Sequence, residues 1–583
     1  MGQNVDQTKS AIDKGNLLLA YDLARVAIDN GDDSEELRHL LVLTLARMGD
    51  GSQAMALYHE YGLDRSSNAH HRSIAARILK DAALALPEGN NRHMALTSAY
   101  RAYADIYEAS GDAYPAINAA SLALLSGQKS QAQELASAII DRSEIAHPKS
   151  YYDAATLAEA LLINERVDEA AAALFMASQM ADANSGAKSS TIRQLALLAK
   201  ILRLDESREN DMLAPISPPT VIHFAGHMFL EDAEVEAQLR SEINGFLDQN
   251  NADFAYGSLA AGSDILIAEA IIARGGELHV TLPFVKDDFI AQSVLPAGQG
   301  WIARFEKCLA AAKSVHFATE MNYVGDAAQF GYASKVAMGM AKLRSEYLGT
   351  PPQQLAIWDE LPVDGPAGTG ADVKVWADFG GATTVIKAGV INRDLAWPVQ
   401  PDTDNLERGL AAYLFTDFPG FSKLAEANLP AFWKGVMGRM ASVLEQYPDQ
   451  ILAKNSWGDA VLAITLDAPV AADIALALQE SLEDFDYELL GLSEGTGMRI
   501  GVHYGPAYQT QDLITGKTTF YGTEVSRAAR IEPVTPPGAV FVTEPFAAIL
   551  VLEAPDQFKC RYVGNVEFAK GYGTYPIYRL TAV

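Results

Sequence analysis

The chain is poor in cysteine, with Cys308 and Cys560 alone among 583 residues and far apart in sequence. This scarcity excludes a disulfide-stapled scaffold and a cysteine-rich zinc site, and it fits a reducing compartment. The sequence also lacks a run of 18 or more apolar residues, the length that a membrane-spanning helix needs. Residues 1–10 are polar, unlike a secretory signal. We therefore expect a cytoplasmic protein with no membrane partner.

Positive charge is also scarce, because 45 Lys and Arg face 74 Asp and Glu, which gives a formal net charge of −29. An acidic surface repels phosphate backbones, so the composition predicts no nucleic-acid partner. The HExxH motif of zinc proteases and the GxxxxGK[ST] motif of P-loop enzymes are both missing. The eleven histidines form no obvious metal-ligating cluster in the sequence.

A chain of this length exceeds one hydrophobic core, so three or four domains are expected. Residues 1–210 are rich in Ala and Leu, with a helical period. Lys14-Gly15-Asn16 recurs 34 positions later as Met48-Gly49-Asp50. This period resembles tetratricopeptide helix pairs, which stack into a solenoid. Tyr114–Ala120 resembles the TRAF-binding-type helical region found beside bacterial signalling domains. We expect an all-α repeat domain, either a generic scaffold or a surface for a protein partner.

A proline-rich break at residues 215–219 precedes a different pattern, in which short apolar strands alternate with helices. Such alternation predicts a parallel sheet covered by helices, a Rossmann-like α/β domain over residues 218–390. The predicted strands are Thr220–Gly226, Phe254–Gly257, Leu278–Phe284, Ser314–Ala318 and Gln354–Asp359. The Gly- and Pro-rich passages at 362–381 and 398–404 are interpreted as linkers, and 391–407 as the connection to the last domain.

Glycines follow two of the predicted strands in this middle block, at the positions where helices begin. The block resembles the SLOG group of Rossmann-like sensors of nucleotides and nucleotide derivatives. In such folds a helix N-terminus offers backbone N–H groups to phosphate. The resemblance implies a nucleotide-like ligand at Gly226, Gly257, Gly262 and Asp264. The alternative is that these glycines only form tight strand-to-helix joints.

Four motifs follow one another in the last third of the chain. They are Leu414–Phe421 (LFTDFPGF), Asn455–Ala460 (NSWGDA), Phe520–Arg530 (FYGTEVSRAAR) and Lys570–Gly573 (KGYG). Their order and spacing make residues 408–583 similar to the class III nucleotide cyclase domain, the family of adenylate and guanylate cyclases. The resemblance implies an α+β ferredoxin-like fold, a head-to-tail homodimer and active sites at the dimer interface.

The resemblance also implies the reaction, in which the ribose 3′ hydroxyl of a nucleoside triphosphate attacks the α-phosphorus and expels pyrophosphate. Two Mg²⁺ or Mn²⁺ ions would be held by Asp417, Asp459 and the backbone of Phe418. The loop Phe418, Pro419, Gly420 and Phe421, together with Gly458 and Phe520, would lie against the substrate. Arg530 matches the arginine that stabilises the transition state, Ser526 replaces a usual asparagine, and Lys570 matches a lysine that binds the triphosphate.

Two positions depart from the family pattern for the base. Asn455 stands where adenylate cyclases usually have lysine and guanylate cyclases have glutamate, and Thr519 aligns with its partner. An amide both donates and accepts hydrogen bonds, so it suits adenine, guanine or a pyrimidine. We expect ATP as substrate and cyclic AMP as product. The alternatives are a cyclase for GTP or a pyrimidine triphosphate, for example in phage-defence signalling, and a catalytically dormant nucleotide-binding scaffold.

Overall fold

The computed structural model describes residues 2–14, 16–32, 34–361, 365–387, 391–395, 407–490 and 497–583. The chain divides into two compact units. The first comprises residues 1–218 with 347–349, and the second comprises residues 219–346 with 350–583. The second unit contains two β-sheets that belong to different domains.

The first unit is helical, as the sequence predicts. Its helices are α1 Gly2–Asp13, α2 Leu17–Asp29, α3 Glu35–Arg47, α4 Gly51–Glu60, α5 Ala69–Ala85, α6 Asn90–Ser110, α7 Ala113–Leu125, α8 Lys129–Ile140, α9 Ser143–Ala146, α10 Tyr151–Ile163, α11 Val167–Ser178, α12 Ser185–Leu202 and α13 Glu206–Leu213.

The 34-residue repeat has a physical cause at the helix starts. The Asn16 side chain caps α2 by accepting a hydrogen bond from Leu19 N, and Asp50 caps α4 in the same way through Gln53 N. Side-chain oxygens at this position satisfy backbone N–H groups that lack a partner within the helix. Gly49 has a φ of 86°, which favours glycine in the preceding turn. Gly15, its counterpart in the first repeat, lies outside the described residues.

A six-stranded sheet, parallel throughout, forms the middle domain, with strand order β4-β3-β2-β1-β5-β6. Its elements are β1 Thr220–Gly226, α14 Ala233–Gln249, β2 Ala252–Gly257, α15 Ser263–Ala273, β3 Glu277–Leu282, α16 Lys286–Ser293, α17 Gly300–Ala311, β4 Ser314–Phe317, α18 Ala328–Leu348, β5 Gln353–Trp358, α19 Thr369–Asp378 and β6 Thr383–Lys387. The prediction of a parallel α/β domain is confirmed.

The linker interpretation of residues 362–381 is wrong for its central part. Residues 369–378 form α19, whose Trp376 is 2% exposed and therefore belongs to the core. Burial of this indole stabilises the helix, although the glycines and proline around it are typical of a linker. Residues 362–364 lie outside the described residues, as does the second predicted linker at 398–404. Within the predicted connection 391–407, Asn392 O accepts a hydrogen bond from Leu230 N of the middle domain.

A mixed sheet forms the last domain, with strand order β13-β14-β12-β10-β7-β9-β8 and β11 beside β10. Its elements are β7 Glu407–Asp417, α20 Leu429–Phe432, the π-helix Trp433–Met437, α21 Gly438–Leu444, β8 Ile451–Trp457, β9 Ala460–Thr465, α22 Ala468–Glu480, β10 Arg499–Gln511, β11 Thr518–Tyr521, α23 Thr523–Ala528, β12 Val540–Thr543, α24 Glu544–Glu553, β13 Phe558–Glu567 and β14 Thr574–Ala582.

Helix α18 of the middle domain packs directly against the last domain. The Tyr332 hydroxyl donates a 2.7 Å hydrogen bond to Tyr504 O of β10, and Gly339 lies against the backbone of Ala548 in α24. Ion pairs surround this contact, since Asp326 pairs with Arg408 at 3.2 Å and His316 with Glu544 at 3.1 Å. The two domains of the second unit are therefore joined through buried groups.

Among the helices of the described residues, none is long and apolar enough to cross a bilayer.

We predict that Gly339→Ala destabilises the second unit. A Cβ at this position would lie 2.1 Å from Ala548 O, so α18 and α24 would have to separate. Overpacking of this kind costs about 1–3 kcal/mol. Gly245→Ala in α14 is the matched control, because no heavy atom lies within 4 Å of its added Cβ. There we expect a gain of up to about 1 kcal/mol from helix propensity. Urea unfolding of both variants measures the difference, and equal effects would contradict the close contact.

Candidate active site

Asp417 ends β7 at the centre of the mixed sheet. The antiparallel register of β7 and β10 places Arg499 directly opposite Asp417, and the Arg499 guanidinium donates a hydrogen bond to the Asp417 carboxylate. The same guanidinium lies 2.9 Å from Glu532 Oε1. One cation is thus shared between two carboxylates.

Asp459 reaches the same place from a different part of the sheet. It lies in the turn of the β8–β9 hairpin, where Gly458 has a φ of 66° that favours glycine. The backbone N–H of Phe418 donates a 3.2 Å hydrogen bond to Asp459 Oδ2. This contact fixes the hairpin turn against the end of β7, so the structure brings Asp417 and Asp459 together.

The neighbouring charges and burial shift the pKa values of this group. Burial raises the pKa of Asp459, and the negative charge of Asp417 raises it further. Burial likewise raises the pKa of Glu532 to about 7, with Asp417 as the next cause. The cluster of Asp417, Asp459 and Glu532 therefore holds more negative charge than the single Arg499 guanidinium neutralises.

A divalent cation fits this electrostatic imbalance. Carboxylate and backbone oxygens are the ligands that Mg²⁺ prefers, and Asp417, Asp459 and the Phe418 carbonyl offer only oxygen. Within the ranges that the structure describes, no group of three or more His, Cys, Asp or Glu side chains is arranged to hold a metal ion.

The loop after Asp417 is held by aromatic packing. The Phe418 ring lies 5.4 Å from that of Phe432, and the Phe421 ring lies 4.9 Å from the same side chain. Gly420 has a φ of 92°, which allows the chain to turn between the two phenylalanines. The backbone of Pro419 and Gly420 stays partly exposed beside the carboxylates, where a phosphate group could contact it.

Asn455 borders a separate cavity of about 400 Å³, which Lys454, Ser456 and Lys517 also line. Its side-chain oxygen accepts a hydrogen bond from Ser456 N, 2.9 Å away. Thr519 and Phe520 lie on β11, but they differ in exposure. The Phe520 side chain is buried beside Tyr413 in the core, whereas Thr519 is half-buried.

The other predicted catalytic residues are Ser526, Arg530 and Lys570, and they lie on other elements than Asp417 and Asp459. Ser526 is exposed on α23, and Arg530 follows two residues after this helix. Lys570 is exposed in the β13–β14 turn, with a φ of 65°. In the described residues, no hydrogen bond or ion pair connects any of these three side chains to Asp417 or Asp459.

A buried ionic network holds α23 against the sheet. Glu524 is fully buried, and its carboxylate lies 2.7 Å from His503 Nε2 and 3.2 Å from Arg527. Burial raises the pKa of Glu524, but the hydrogen bond and charge of His503 and the charge of Arg527 outweigh it and lower the pKa overall. Because a buried charge pair is costly to separate, this network fixes the orientation of the helix that carries Ser526.

The four predicted sensor residues divide into two pairs. Gly226 and Asp264 line a cavity of about 680 Å³ in the middle domain. Gly257 and Gly262 instead pack tightly against protein, since an added Cβ would lie 2.7 Å from Phe224 O and 2.6 Å from the Phe229 ring.

Sequence reasoning missed Arg499 and Glu532 at the carboxylate cluster. Glu532 stands two residues after Arg530, and Arg499 starts the strand that pairs with β7. The only sequence signal for Arg499 is its place before the apolar run Ile500–Val502, which gives no register. Strand pairing over some 80 positions is set by tertiary packing and not by local pattern.

We predict that Arg499→Ala destabilises the protein by about 1–3 kcal/mol, because two carboxylates lose the partly buried guanidinium that they share. A divalent cation should compensate, so 1 mM Mn²⁺ should raise the unfolding midpoint more in this variant than in the wild type. Thermal unfolding with and without Mn²⁺ measures both effects. Arg439→Ala removes an exposed partner of Asp484 and serves as control, with a cost below about 1 kcal/mol and no Mn²⁺ dependence. An equal Mn²⁺ response in both variants would contradict the charge balance described above.

Comparisons with known proteins identify two parts of the chain. Residues 410–582 match the family described as "Adenylate and Guanylate cyclase catalytic domain", and residues 16–123 match "Tetratricopeptide Repeats-Sensor". Tyr114–Ala120 falls within the second match. A curated relative, "Putative adenylate cyclase 3" of Rhizobium meliloti (strain 1021), is 28% identical over 145 residues. The match covers 24% of this chain and only 23% of that relative.

Two solved structures are similar to the last domain. The adenylyl cyclase CyaB from P. aeruginosa is 18% identical, with 30% of this chain and 96% of that chain covered and a TM-score of 0.27. The guanylate cyclase domain of RhGC from Catenaria anguillulae in complex with GTP is also 18% identical, with 30% and 98% covered and a TM-score of 0.26. Residues 410–582 are a class III adenylate and guanylate cyclase catalytic domain, and residues 16–123 are tetratricopeptide repeats of the sensor type.

Proposed function

We propose that the protein is a nucleotide cyclase that converts a nucleoside triphosphate, in the first place ATP, to the 3′,5′-cyclic nucleotide and pyrophosphate. The single observation that carries the proposal is the placement of Asp417 and Asp459 beside each other through the Phe418 N–H. A dormant scaffold would not need this contact between two acids, since burial and then the charge of Asp417 raise the pKa of Asp459 and make its ionised form less favourable.

Asp417, Asp459 and the Phe418 carbonyl would hold the two divalent ions. When bound there, Mg²⁺ or Mn²⁺ lowers the pKa of the ribose 3′ hydroxyl and binds the triphosphate oxygens. The partly exposed backbone of Pro419 and Gly420 then lies where it can contact the triphosphate. The aromatic packing of Phe418 and Phe421 on Phe432 keeps this loop in place.

The second half of the active site would come from another copy of the chain. Arg530, Lys570 and Ser526 make no hydrogen bond or ion pair with the carboxylates in the described residues of one chain. In a head-to-tail homodimer they would face the carboxylates of the partner subunit. The resemblance to class III cyclases, in which two copies share each site, supports this arrangement.

The reaction forms one bond from the ribose 3′ oxygen to the α-phosphorus and breaks the bond to the β-phosphate oxygen, with pyrophosphate as leaving group. Charge on the phosphoryl oxygens increases in the transition state. Arg530 would donate hydrogen bonds to these oxygens and Lys570 would neutralise the triphosphate. Preorganised donors of this kind contribute about 3 kcal/mol each. Ser526 can donate a hydrogen bond from its hydroxyl, with a shorter reach than asparagine.

The base would lie near Asn455 and Thr519. Asn455 borders the 400 Å³ cavity, whose two lysines, Lys454 and Lys517, were not expected from the motif. The Asn455 amide offers a donor and an acceptor, which suits adenine but also guanine or a pyrimidine. GTP and the pyrimidine triphosphates therefore remain the alternatives to ATP.

We predict that the full chain forms one dominant cyclic nucleotide when ATP, GTP, CTP and UTP are supplied separately with Mn²⁺. Asp417→Ala should reduce turnover at least about 100-fold, since it removes a metal ligand. Mass spectrometry of the products measures both results. Asp473→Ala, an exposed aspartate of α22 that bonds Tyr447, is the control and should retain activity. Unchanged product formation by Asp417→Ala would reject the site.

Mixing two inactive variants tests the shared site directly. Asp417→Ala and Arg530→Ala chains together should recover up to about one quarter of wild-type turnover, because mixed dimers contain one intact site. The absence of product from any triphosphate, with correctly folded dimers, would favour the dormant scaffold.

Base selection gives a further prediction. Asn455→Lys should raise the preference for ATP over GTP at least about 10-fold, because an ammonium group donates to adenine N1 but is repelled by the guanine N1–H. The ratio of kcat/KM values for ATP and GTP measures the preference. Leu452→Lys, at an exposed position of β8 that does not line the cavity beside Asn455, is the control. A similar shift in both variants would contradict a specific role of Asn455 in base recognition.

A further inference from the structure

The 680 Å³ cavity of the middle domain lies at the carboxyl ends of β1, β2 and β3 and beside the start of α19, the helix that follows β5. β1 and β5 are neighbours, and the chain leaves them toward opposite sides of the sheet, since β2 lies on one side of β1 and β6 on the far side of β5. Such a switch point in a parallel sheet forms a crevice in which ligands commonly bind. The N-termini of α15 and α19 both border this cavity through Asp264 and Thr369.

Two polar atoms in the cavity wall have no hydrogen-bond partner of good geometry among the described residues. Asp264 is 6% exposed, its Oδ2 accepts a hydrogen bond from Ala260 N at 3.2 Å, and the Gly226 backbone also lies beside its carboxyl group, but its Oδ1 has no such partner there. The Ser258 hydroxyl, which also lines the cavity, is buried without a partner. Unpaired buried oxygens cost free energy, so their presence in a cavity wall points to a ligand that supplies hydrogen-bond donors.

The charges of the lining residues favour a cation over an anion. The titratable groups that face the cavity are His223, His227, Asp264, Asp372 and Arg393. Arg393 already pairs with Asp359 at 2.5 Å. Burial lowers the pKa of His223 to about 3 and also lowers the pKa of His227, which disfavours positive charge on both imidazoles. Among the described residues that line the cavity, no cation is paired with Asp264 or Asp372.

The start of α15 is not open to phosphate, although a glycine precedes it. Ser263 N donates to His227 O at 3.2 Å, and Ala261 N donates to Ser293 O at 2.8 Å. Ala260 N is engaged by Asp264 itself. These contacts use Ser263 N of the first turn and two N–H groups just before it, and the Asp264 carboxyl group stands in the same turn, so the start of α15 disfavours an anion.

We propose that this cavity binds a small organic amine, whose ammonium group contacts Asp264 and Asp372 and whose apolar body contacts Phe289 and Phe330. Aromatic side chains suit such a ligand, since they accept both apolar groups and cations. The sequence resemblance implies a nucleotide-like ligand, which has the opposite charge. Binding of an anion in this cavity would therefore contradict the proposal.

The raised pKa values of the two acids agree with the lack of a neighbouring cation. Burial raises the pKa of Asp264 to about 8 and that of Asp372 to about 7. An ammonium ion between them would stabilise both carboxylates and lower both pKa values. Binding therefore releases protons and tightens as the pH rises from 6 to 8.

Helix α18 connects this cavity to the cyclase domain. Phe330, Ala333, Ser334 and Ala337 line the cavity at the spacing of one helix face. Ser334 also bonds the Asp372 carboxyl. A different face carries Tyr332 and Gly339, which contact Tyr504 and Ala548 of the cyclase domain. A ligand that moves α18 by a fraction of an ångström consequently moves β10 and α24. This second step, control of turnover by the amine, rests on the proposed function.

Isothermal titration calorimetry of the full chain tests binding. The probes are 2-phenylethylamine, its uncharged counterpart 2-phenylethanol, and inorganic phosphate. We expect the amine to bind at least 10-fold more tightly than the alcohol, at least 10-fold more weakly to Asp264→Asn, and more tightly at pH 8 than at pH 6. Asp378→Asn, an exposed acid of α19, is the matched control and should bind as the wild type does. Binding of phosphate, equal binding of the alcohol, or no heat from the amine at 10 mM would overturn the proposal.

Turnover measurements test the step through α18. The amine should change the cyclase rate at least threefold in the wild type, and by less than 1.5-fold in Tyr332→Phe, which removes the hydrogen bond to Tyr504. Calorimetry should show unchanged amine binding in Tyr332→Phe. An equal rate response in both proteins, or bound amine without any rate response in an active wild type, would overturn the coupling. Because calorimetry needs no turnover, an inactive cyclase leaves the binding result standing.

Discussion

The repulsion between the carboxylates of Asp417 and Asp459 is the constraint on which the rest of the cyclase domain depends. Two acids are brought together at the end of β7, where one backbone N–H and one guanidinium offset part of their charge. Three separate features are needed for this placement, namely the β7–β10 register, the glycine turn of the β8–β9 hairpin and the short loop after Asp417. Part of the repulsion between the two carboxylates therefore remains in the folded domain, and a divalent cation bound between them would reduce it.

The proposed second half of the active site is held in place by buried ion pairs. The helix that carries Ser526 lies on a buried network of Glu524, His503 and Arg527, and Arg527 also lies 3.5 Å from Glu320 of the middle domain. The middle domain therefore touches the cyclase domain at α23 as well as through α18. Because packed interiors transmit small displacements, a change in the middle domain can alter the geometry of residues that would act on a partner subunit.

The sequence predicted those features that local pattern determines. Thr220–Gly226 is an apolar run that ends in glycine, and it forms β1 with the predicted limits. Asp417 and Asp459 were found through motifs, and the structure brings them together. Arg499 and Glu532 were missed because their proximity to Asp417 arises from strand pairing across distant segments. Helix α19 was missed because Gly and Pro surround it, whereas the burial of Trp376, a tertiary contact, stabilises it. The unpaired oxygen of Asp264 could not be seen in the sequence, since a motif does not show which N–H groups are already used.

We propose that one chain holds half of a catalytic site and that activity requires a second copy. The most direct measurement is the turnover per chain over a wide range of protein concentration, with the monomer and dimer populations determined by analytical ultracentrifugation in the same buffer. We expect turnover per chain to fall on dilution in proportion to the fraction of dimer. Full turnover in a solution that contains only monomers would contradict it.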